Sequence, residues 1–238
     1  MVNTRAKKSN GEGAIDMKIY EPNTDGDNIQ SFVLNILDGK KNGTFVEIGA
    51  YHSDYKSNTK FLEEEFGWSG LAIEINPKRT KQYNENRTSK CIESDALTFN
   101  YQKYFEENNF PKQIDFLQID IDHGYNKPSE NGENFWIKQS KYANYFALIS
   151  LPIFSYRFTV IYIEHMNMMS PQFEEVMQAQ RKLLTELGYT LTYRDYNDDL
   201  WVDSRIVPTN DAMWYMASRP VRLIDLGNNL HPEEFANY

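Results

Sequence analysis

From residue 28 to residue 37, Ile29, Phe32, Val33, Ile36 and Leu37 recur at the spacing of one helix face, and Gly39 follows where a helix stops. The pattern predicts a short amphipathic helix. The next apolar run, residues 44–48, is too short for a helix and rich in β-branched and aromatic side chains, so it reads as a buried strand. It opens the stretch FVEIGAYHSD, which places an acid, Glu47, inside the strand and a glycine, Gly49, at its end.

The alternation continues along the chain. Ser53 or Asp54 is placed to cap a second helix, with Phe61, Leu62 and Phe66 on one side and Gly67 as its stop. Residues 71–75 form a second strand closed by the breaker pair Asn76-Pro77, residues 78–87 a helix, and residues 90–93 a short strand followed by SDAL. A central strand is expected at 114–119 within IDFLQIDID, a helix at 141–149 and a strand at 158–163. Ser170 as N-cap and Pro171 at the first helical position open a helix carrying Phe173, Val176, Met177, Leu183, Leu184 and Leu187 in register, with Gly188 ending it. Strands at 189–193 and near 213–217 complete the pattern.

Strands that alternate with helices imply parallel pairing, with helices on both faces of one sheet. The last strands follow each other without a helix and predict an antiparallel C-terminal edge. Residues 123–140, HGYNKPSENGENFWIKQS, are polar and turn-rich, and are expected to form a functional loop or lid. Residues 1–27 read as a flexible or loosely docked arm, and residues 28–238 as a single α/β domain.

Composition narrows the classes of function. No run approaches the roughly 18 apolar residues of a membrane span, and the basic start lacks the apolar core of a secretory signal, so a cytoplasmic protein is expected. The lone Cys91 excludes an internal disulfide. A net charge of -9 argues against a nucleic-acid partner, which needs a concentrated basic face.

Acids gather where the predicted parallel strands end: Glu47, Glu74, Asp95, Asp120, Asp122 and Glu164. Open parallel sheets bind ligands beyond these ends, although an acid there also serves as a helix cap or faces solvent. Glu74 follows Gly49 by 25 residues, close to the interval at which dinucleotide-binding folds place a ribose-binding acid. Yet EIGAYHSD lacks the glycine triplet that lets backbone N–H groups surround a pyrophosphate. A single glycine with carboxylates nearby favours S-adenosylmethionine, whose sulfonium and ammonium are positive, over NAD. A nicotinamide-dependent oxidoreductase or epimerase and a non-catalytic nucleotide-binding domain are the competing readings.

The run GTFVEIGAYHSDYKSNTKFLEEEFGWSGLAIEINP, residues 43–77, resembles the FkbM family of S-adenosylmethionine-dependent methyltransferases. Weaker matches, CIESDAL, FLQIDID, YRFTVIYIEH, ELGYTL and DDLWVD, extend the resemblance over residues 27–203, with the 123–140 segment departing from it. The resemblance implies a Rossmann-like class I methyltransferase sandwich and O-methylation of a sugar, glycan or related small molecule. It further implies that Glu47, Gly49 and Ala50 line the methionine end of the cofactor, that Glu74 takes the ribose hydroxyls and that Asp95 with Ala96 meets the adenine. Thr59 supports the same pocket; Tyr51, Asn76, Ser94 and Asp120 complete the expected cofactor set.

Methylation of a hydroxyl requires in-line positioning and removal of its proton. His165, Asp120 and Asp122 are the candidate catalytic groups, with His123 a weaker one. Asp120, Asp122 and Glu164 are alternatively the oxygen ligands of a Mg or Mn ion that lowers the hydroxyl pKa. Tyr125, Phe135, Trp136 and Trp201 are candidates for stacking on a sugar ring.

Overall fold

The computed structural model describes residues 29–54, 57–121, 124–128, 134–138, 141–166, 173–194 and 197–208. The arm expected over residues 1–27, the helix start at Ser170-Pro171 and the strand expected near 213–217 lie outside them.

The first predicted helix forms as α1, Ile29–Ile36, and the first strand as β1, Thr44–Ile48. Helix α2, Lys60–Phe66, starts later than expected: Ser53 and Asp54 do not cap it. The Ser57 hydroxyl instead accepts a hydrogen bond from Lys60 N at 3.1 Å, and Asp54 pairs with the Lys60 ammonium. Gly67 ends α2 at φ 68°, in the left-handed region that a glycine enters without steric cost. Strand β2, Ser69–Glu74, is followed by α3, Pro77–Asn86. Asn76-Pro77 is therefore a helix start as well as a strand stop: Asn76 Oδ1 accepts from Lys78 N and Arg79 N, and Pro77 needs no N–H at the first helical position.

Strand β3, Lys90–Glu93, helix α4, Tyr101–Glu107, and strand β4, Gln113–Ile119, follow. The segment expected as a polar loop forms an antiparallel hairpin, β5 (Gly124–Pro128) with β6 (Asn134–Lys138). Its turn-forming residues masked two short strands. Helix α5, Ala143–Ser150, strand β7, Arg157–Glu164, helix α6, Glu174–Glu186, and strands β8, Tyr189–Arg194, and β9, Asp198–Asp203, complete the described chain. Strand β9 is the DDLWVD stretch, whose three aspartates hid a strand from a reading based on hydrophobicity.

The main sheet has the order β3-β2-β1-β4-β7-β9-β8. Pairs from β3 through β7 are parallel, whereas β9 runs antiparallel to both β7 and β8, so the C-terminal edge is antiparallel as expected. This is a Rossmann-like α/β sandwich: a mostly parallel sheet with one antiparallel edge and helices on both faces. Successive residues of the central strands feed opposite cores, which is why those strands read as nearly continuous apolar runs. Val46, Leu117 and Ile161 pack toward a core with Tyr101 and Phe105 of α4, Ala147 and Leu148 of α5 and Leu184 of α6. Phe45, Phe116 and Val160 pack toward Phe32 and Val33 of α1 and Leu62 and Phe66 of α2. No helix among the described residues is long and apolar enough to cross a membrane.

The Asn76 cap gives a direct test. Asn76→Ala is expected to cost about 1 kcal/mol in urea unfolding and Asn76→Gly only a few tenths, because glycine leaves the N-cap backbone free to be solvated.

Candidate functional site

The chain leaves β1 toward β2 on one side and β4 lies on the other, so the C-terminal ends of β1 and β4 border a crevice of the kind in which open α/β sheets hold ligands. Gly49 sits there at φ +86°, and a Cβ built on it would lie 1.8 Å from the Asp120 carbonyl oxygen. Only glycine lets the two chain segments come this close. Gly49 N and Ala50 N both donate to Ile73 O, at 3.0 and 3.2 Å, and Asp120 N donates to Ile48 O at 2.9 Å.

Glu74 stands at the end of β2, 6% exposed. One carboxylate oxygen accepts from Tyr51 N at 2.9 Å and the other from Asn76 N at 2.7 Å, so this acid holds the β1–α2 and β2–α3 loops together. Tyr51 adopts φ 46°, costly for a residue with a side chain, and exposes its ring beneath the Arg79 guanidinium, 4.0 Å from the ring centroid. At the end of β3, Ser94 N donates to Glu74 O at 3.1 Å, the exposed Asp95 accepts from Leu97 N at 2.9 Å, and Ala96 O accepts from the buried Tyr101 hydroxyl. The fold thus brings Gly49, Ala50, Tyr51, Glu74, Asn76, Ser94, Asp95, Ala96 and Asp120 to one edge of the sheet.

Glu47 and Thr59 occupy a buried layer under that edge. Glu47 Oε2 accepts from Thr59 Oγ1 at 2.7 Å and from the Tyr83 hydroxyl at 3.2 Å. The Arg87 guanidinium donates to Thr59 Oγ1, Ser57 Oγ, Ser53 O and Glu63 Oε2. Of the roles open to Glu47, fixing the loop is the one its contacts serve. Burial raises the Glu47 carboxyl above its ordinary 4.5, only partly offset by Arg87 and the two hydroxyls. Burial also acts upward on Glu63, but bonds from Thr88 and Arg87 outweigh it and bring that carboxyl down to about 2.

A second polar group joins the ends of β4, β7 and β9. Because β9 runs antiparallel, its first residues lie beside the end of β7, and Asp198 is in register with Glu164. Desolvation, then the Asp120 and Asp198 carboxylates, push the Glu164 carboxyl well above its ordinary range. Its hydrogen bond with Asp120 requires that one of the two acids carry the proton. Asn144 secures the arrangement, donating to Glu164 Oε2 at 3.1 Å and accepting from Ile121 N at 2.7 Å. His165 is 2% exposed, with Nε2 3.6 Å from Oδ1 of Asp199, which Arg181 holds in a bidentate pair at 2.7 and 2.8 Å. Asp122, His123 and the side chains of Tyr125, Phe135 and Trp136 lie outside the described residues; Trp201 is in the core. Among the described residues, no three His, Cys, Asp or Glu side chains form a group that could hold a metal ion.

Tyr83, Arg87, Glu63, Asn144 and Asp199 were missed by the sequence reading. One signal was present: Glu63 shares the inward stripe of α2 with Thr59 and Phe66, a position where an acid requires a buried cation.

No protein-family model matches the chain. No curated protein matches it either. Among solved structures it is similar to an O-methyltransferase from Bacillus cereus in complex with SAH, at 16% identity over 76% of this chain and 82% of that chain, with a TM-score of 0.43. It is also similar to human methyltransferase 10 domain containing protein, at 11% identity over 78% and 88% of the two chains, TM-score 0.44. A third is Aeropyrum pernix fibrillarin with natively bound S-adenosyl-L-methionine, at 13% identity over 68% and 66%, TM-score 0.39. Overlaps this loose carry no argument about chemistry, and the FkbM likeness of residues 43–77 stays a resemblance. The functional reading rests on strand order and on the residues of the crevice.

The two buried glutamates have opposite pH signatures. Glu63, depressed to about 2, contributes stability that is full above its unfolded pKa of 4.5 and is lost as pH falls toward 2. Glu63→Gln is expected to cost about 2–3 kcal/mol at pH 7 and to flatten the acid limb below pH 4.5 in urea unfolding series. Glu47, raised by burial, contributes stability below 4.5 that is lost as pH rises, so Glu47→Gln should cost less at pH 7 than Glu63→Gln.

Proposed function

We propose that this chain is an S-adenosylmethionine-dependent methyltransferase that transfers a methyl group to a hydroxyl of a sugar, glycan or related small molecule. One observation carries the cofactor class: in a sheet of this order, a left-handed Gly49 packed on the Asp120 backbone and Glu74 at the end of β2 border the same crevice. A pyrophosphate cofactor needs further glycines at this turn, and Tyr51 and His52 stand there instead.

The residues fit the group. Gly49, Ala50 and Tyr51 would hold its amino-acid end, and Thr59 and Glu47 support that loop from below. Glu74, fixed at the end of β2 by the Tyr51 and Asn76 N–H groups, would accept from the ribose hydroxyls. Ser94, Asp95 and Ala96 would border the adenine, with Asn76 beside the ribose. When bound, the cofactor supplies a methyl group activated by its sulfonium.

The chain's own task is to align the acceptor oxygen and receive its proton as the new C–O bond forms and the C–S bond breaks. Asp120 is the proton acceptor in this reading: it lies at the crevice floor and is joined to Glu164, whose carboxyl favours the protonated state. His165, buried against Asp199, supports the same strand end and is the second candidate base. A divalent cation held by Asp120, Asp122 and Glu164 is the alternative to a protein base. The hydroxyl acceptor and its sugar or glycan class are supported by the FkbM resemblance, and the β5–β6 hairpin, which begins four residues after Asp120, is the segment proposed to meet that acceptor.

Calorimetry is expected to show binding of S-adenosylhomocysteine and none of NAD; the reverse order of affinities defeats the proposal. Glu74→Gln, which keeps the side-chain shape, should weaken S-adenosylhomocysteine at least about tenfold with little change in melting temperature. On an acceptor found by screening sugars with methyl-labelled cofactor, Asp120→Asn should lower kcat about 100-fold while cofactor affinity holds. Loss of activity on chelation, restored by Mg or Mn, would select the metal in place of the base.

A further inference from the structure

The polar layer beneath the crevice has a single residue as its hub. Arg87 follows α3 and precedes β3, and its side chain is fully buried. Its two terminal nitrogens reach four acceptors: Ser53 O at 3.3 Å, Ser57 Oγ at 3.0 Å, Thr59 Oγ1 at 3.1 Å and Glu63 Oε2 at 2.8 Å. The guanidinium also lies over the Tyr83 ring, 4.7 Å from its centroid, and Tyr83 in turn donates to Glu47. Three of the four acceptors belong to the β1–α2 loop, the segment that begins with Gly49, Ala50 and Tyr51.

A buried cation between two buried acids is a poor device for stability alone, since well-packed apolar side chains of similar volume do as well or better. What such a cluster supplies is conformational specificity: Arg87 Nε has no hydrogen-bond partner among the described residues, but the two terminal nitrogens reach their four acceptors only when Ser53, Ser57, Thr59 and Glu63 are brought together. The planar fork of arginine suits this purpose, and lysine, a point charge with three rotatable donors, cannot span the same acceptors. The loop it governs needs such control. Tyr51 is held at positive φ, a costly conformation for a residue with a side chain, and its N–H is bonded to Glu74.

We propose that Arg87 is the positioning residue for the cofactor-binding loop, fixing Ser53, Ser57 and Thr59 so that the Gly49–Tyr51 turn is formed before the cofactor arrives. This rests on the methyltransferase reading above. Arg87 acts through the loop and does not touch the reacting groups. Its loss therefore weakens cofactor binding and leaves the rate at saturating cofactor largely intact.

The test compares wild type with Arg87→Met, Arg87→Lys and Ser57→Ala, and with Arg157→Met as a control. Arg157 pairs with buried Asp203 at the opposite end of the sheet, so the control loses a comparable ion pair far from the crevice. Arg87→Met is expected to raise the Kd for S-adenosylhomocysteine and the KM for the cofactor at least about tenfold, with kcat changed less than about threefold. Arg87→Lys should recover part of this affinity, and Ser57→Ala should weaken binding about threefold. Arg157→Met should lower the melting temperature while keeping wild-type affinity. Wild-type affinity in Arg87→Met overturns the inference and leaves the methyltransferase reading standing, as does a loss confined to kcat. If Arg87→Met does not fold, wild-type affinity in Ser57→Ala overturns it alone. Failure of the wild-type protein to bind S-adenosylhomocysteine overturns both.

Discussion

The Asp120 carbonyl oxygen occupies the space in which any other residue at position 49 would carry its Cβ. That contact sets the floor of the crevice. With Asp120 N bonded to Ile48 O, and Gly49 N and Ala50 N bonded to Ile73 O, the chain leaving β1 is wedged between its two neighbouring strands. The turn that follows has few conformations left, and Tyr51 takes one at positive φ that its side chain disfavours. Glu74 compensates by accepting the Tyr51 N–H, so the acid at the end of β2 anchors the loop and also borders the crevice.

Below this wedge the protein buries charge where an apolar layer would have packed. Arg87 pairs directly with Glu63 and reaches Glu47 through Thr59 and Tyr83, so the two acids lie in unequal environments. Glu63 accepts from Thr88 and Ser89 as well as from Arg87, enough to keep it ionised despite burial. Glu47 has two hydroxyl donors and lies deeper, so desolvation prevails. The energetic outcome depends on the count and type of donors around each carboxylate, which differ although both belong to one network. The network links β1, α2 and α3, and so couples the loop after β1 to the segment that leads into β3.

At the other side of the crevice the reversal of β9 has a chemical consequence. A parallel strand in that place would have brought its last residues to this edge; the antiparallel one brings its first, Asp198 and Asp199. Asp198 adds to the field that favours a protonated Glu164, and Asp199 faces His165 while Arg181 neutralises it. Acid and base character at the strand ends is therefore an effect of topology as much as of residue type.

The local rules of the chain carried far. Helical spacing located α1, short apolar runs located β1, β3, β4 and β7, and the acids expected at strand ends do gather at one edge of the sheet, because strand polarity and side-chain period are written in consecutive residues. Gly49 and Glu74 were legible as a pair since their interval spans one β-α-β unit. The start of α2, the β5–β6 hairpin and β9 were not legible, because serine, asparagine and aspartate obscured hydrophobic period in all three. What only the tertiary structure decided was the partner of each buried polar group. Glu47 and Arg87 lie forty residues apart in the chain, and Asp120 and Glu164 slightly more. Whether such groups meet depends on which strands become neighbours, a choice made by the packing of both faces of the sheet and recorded in no local stretch of sequence.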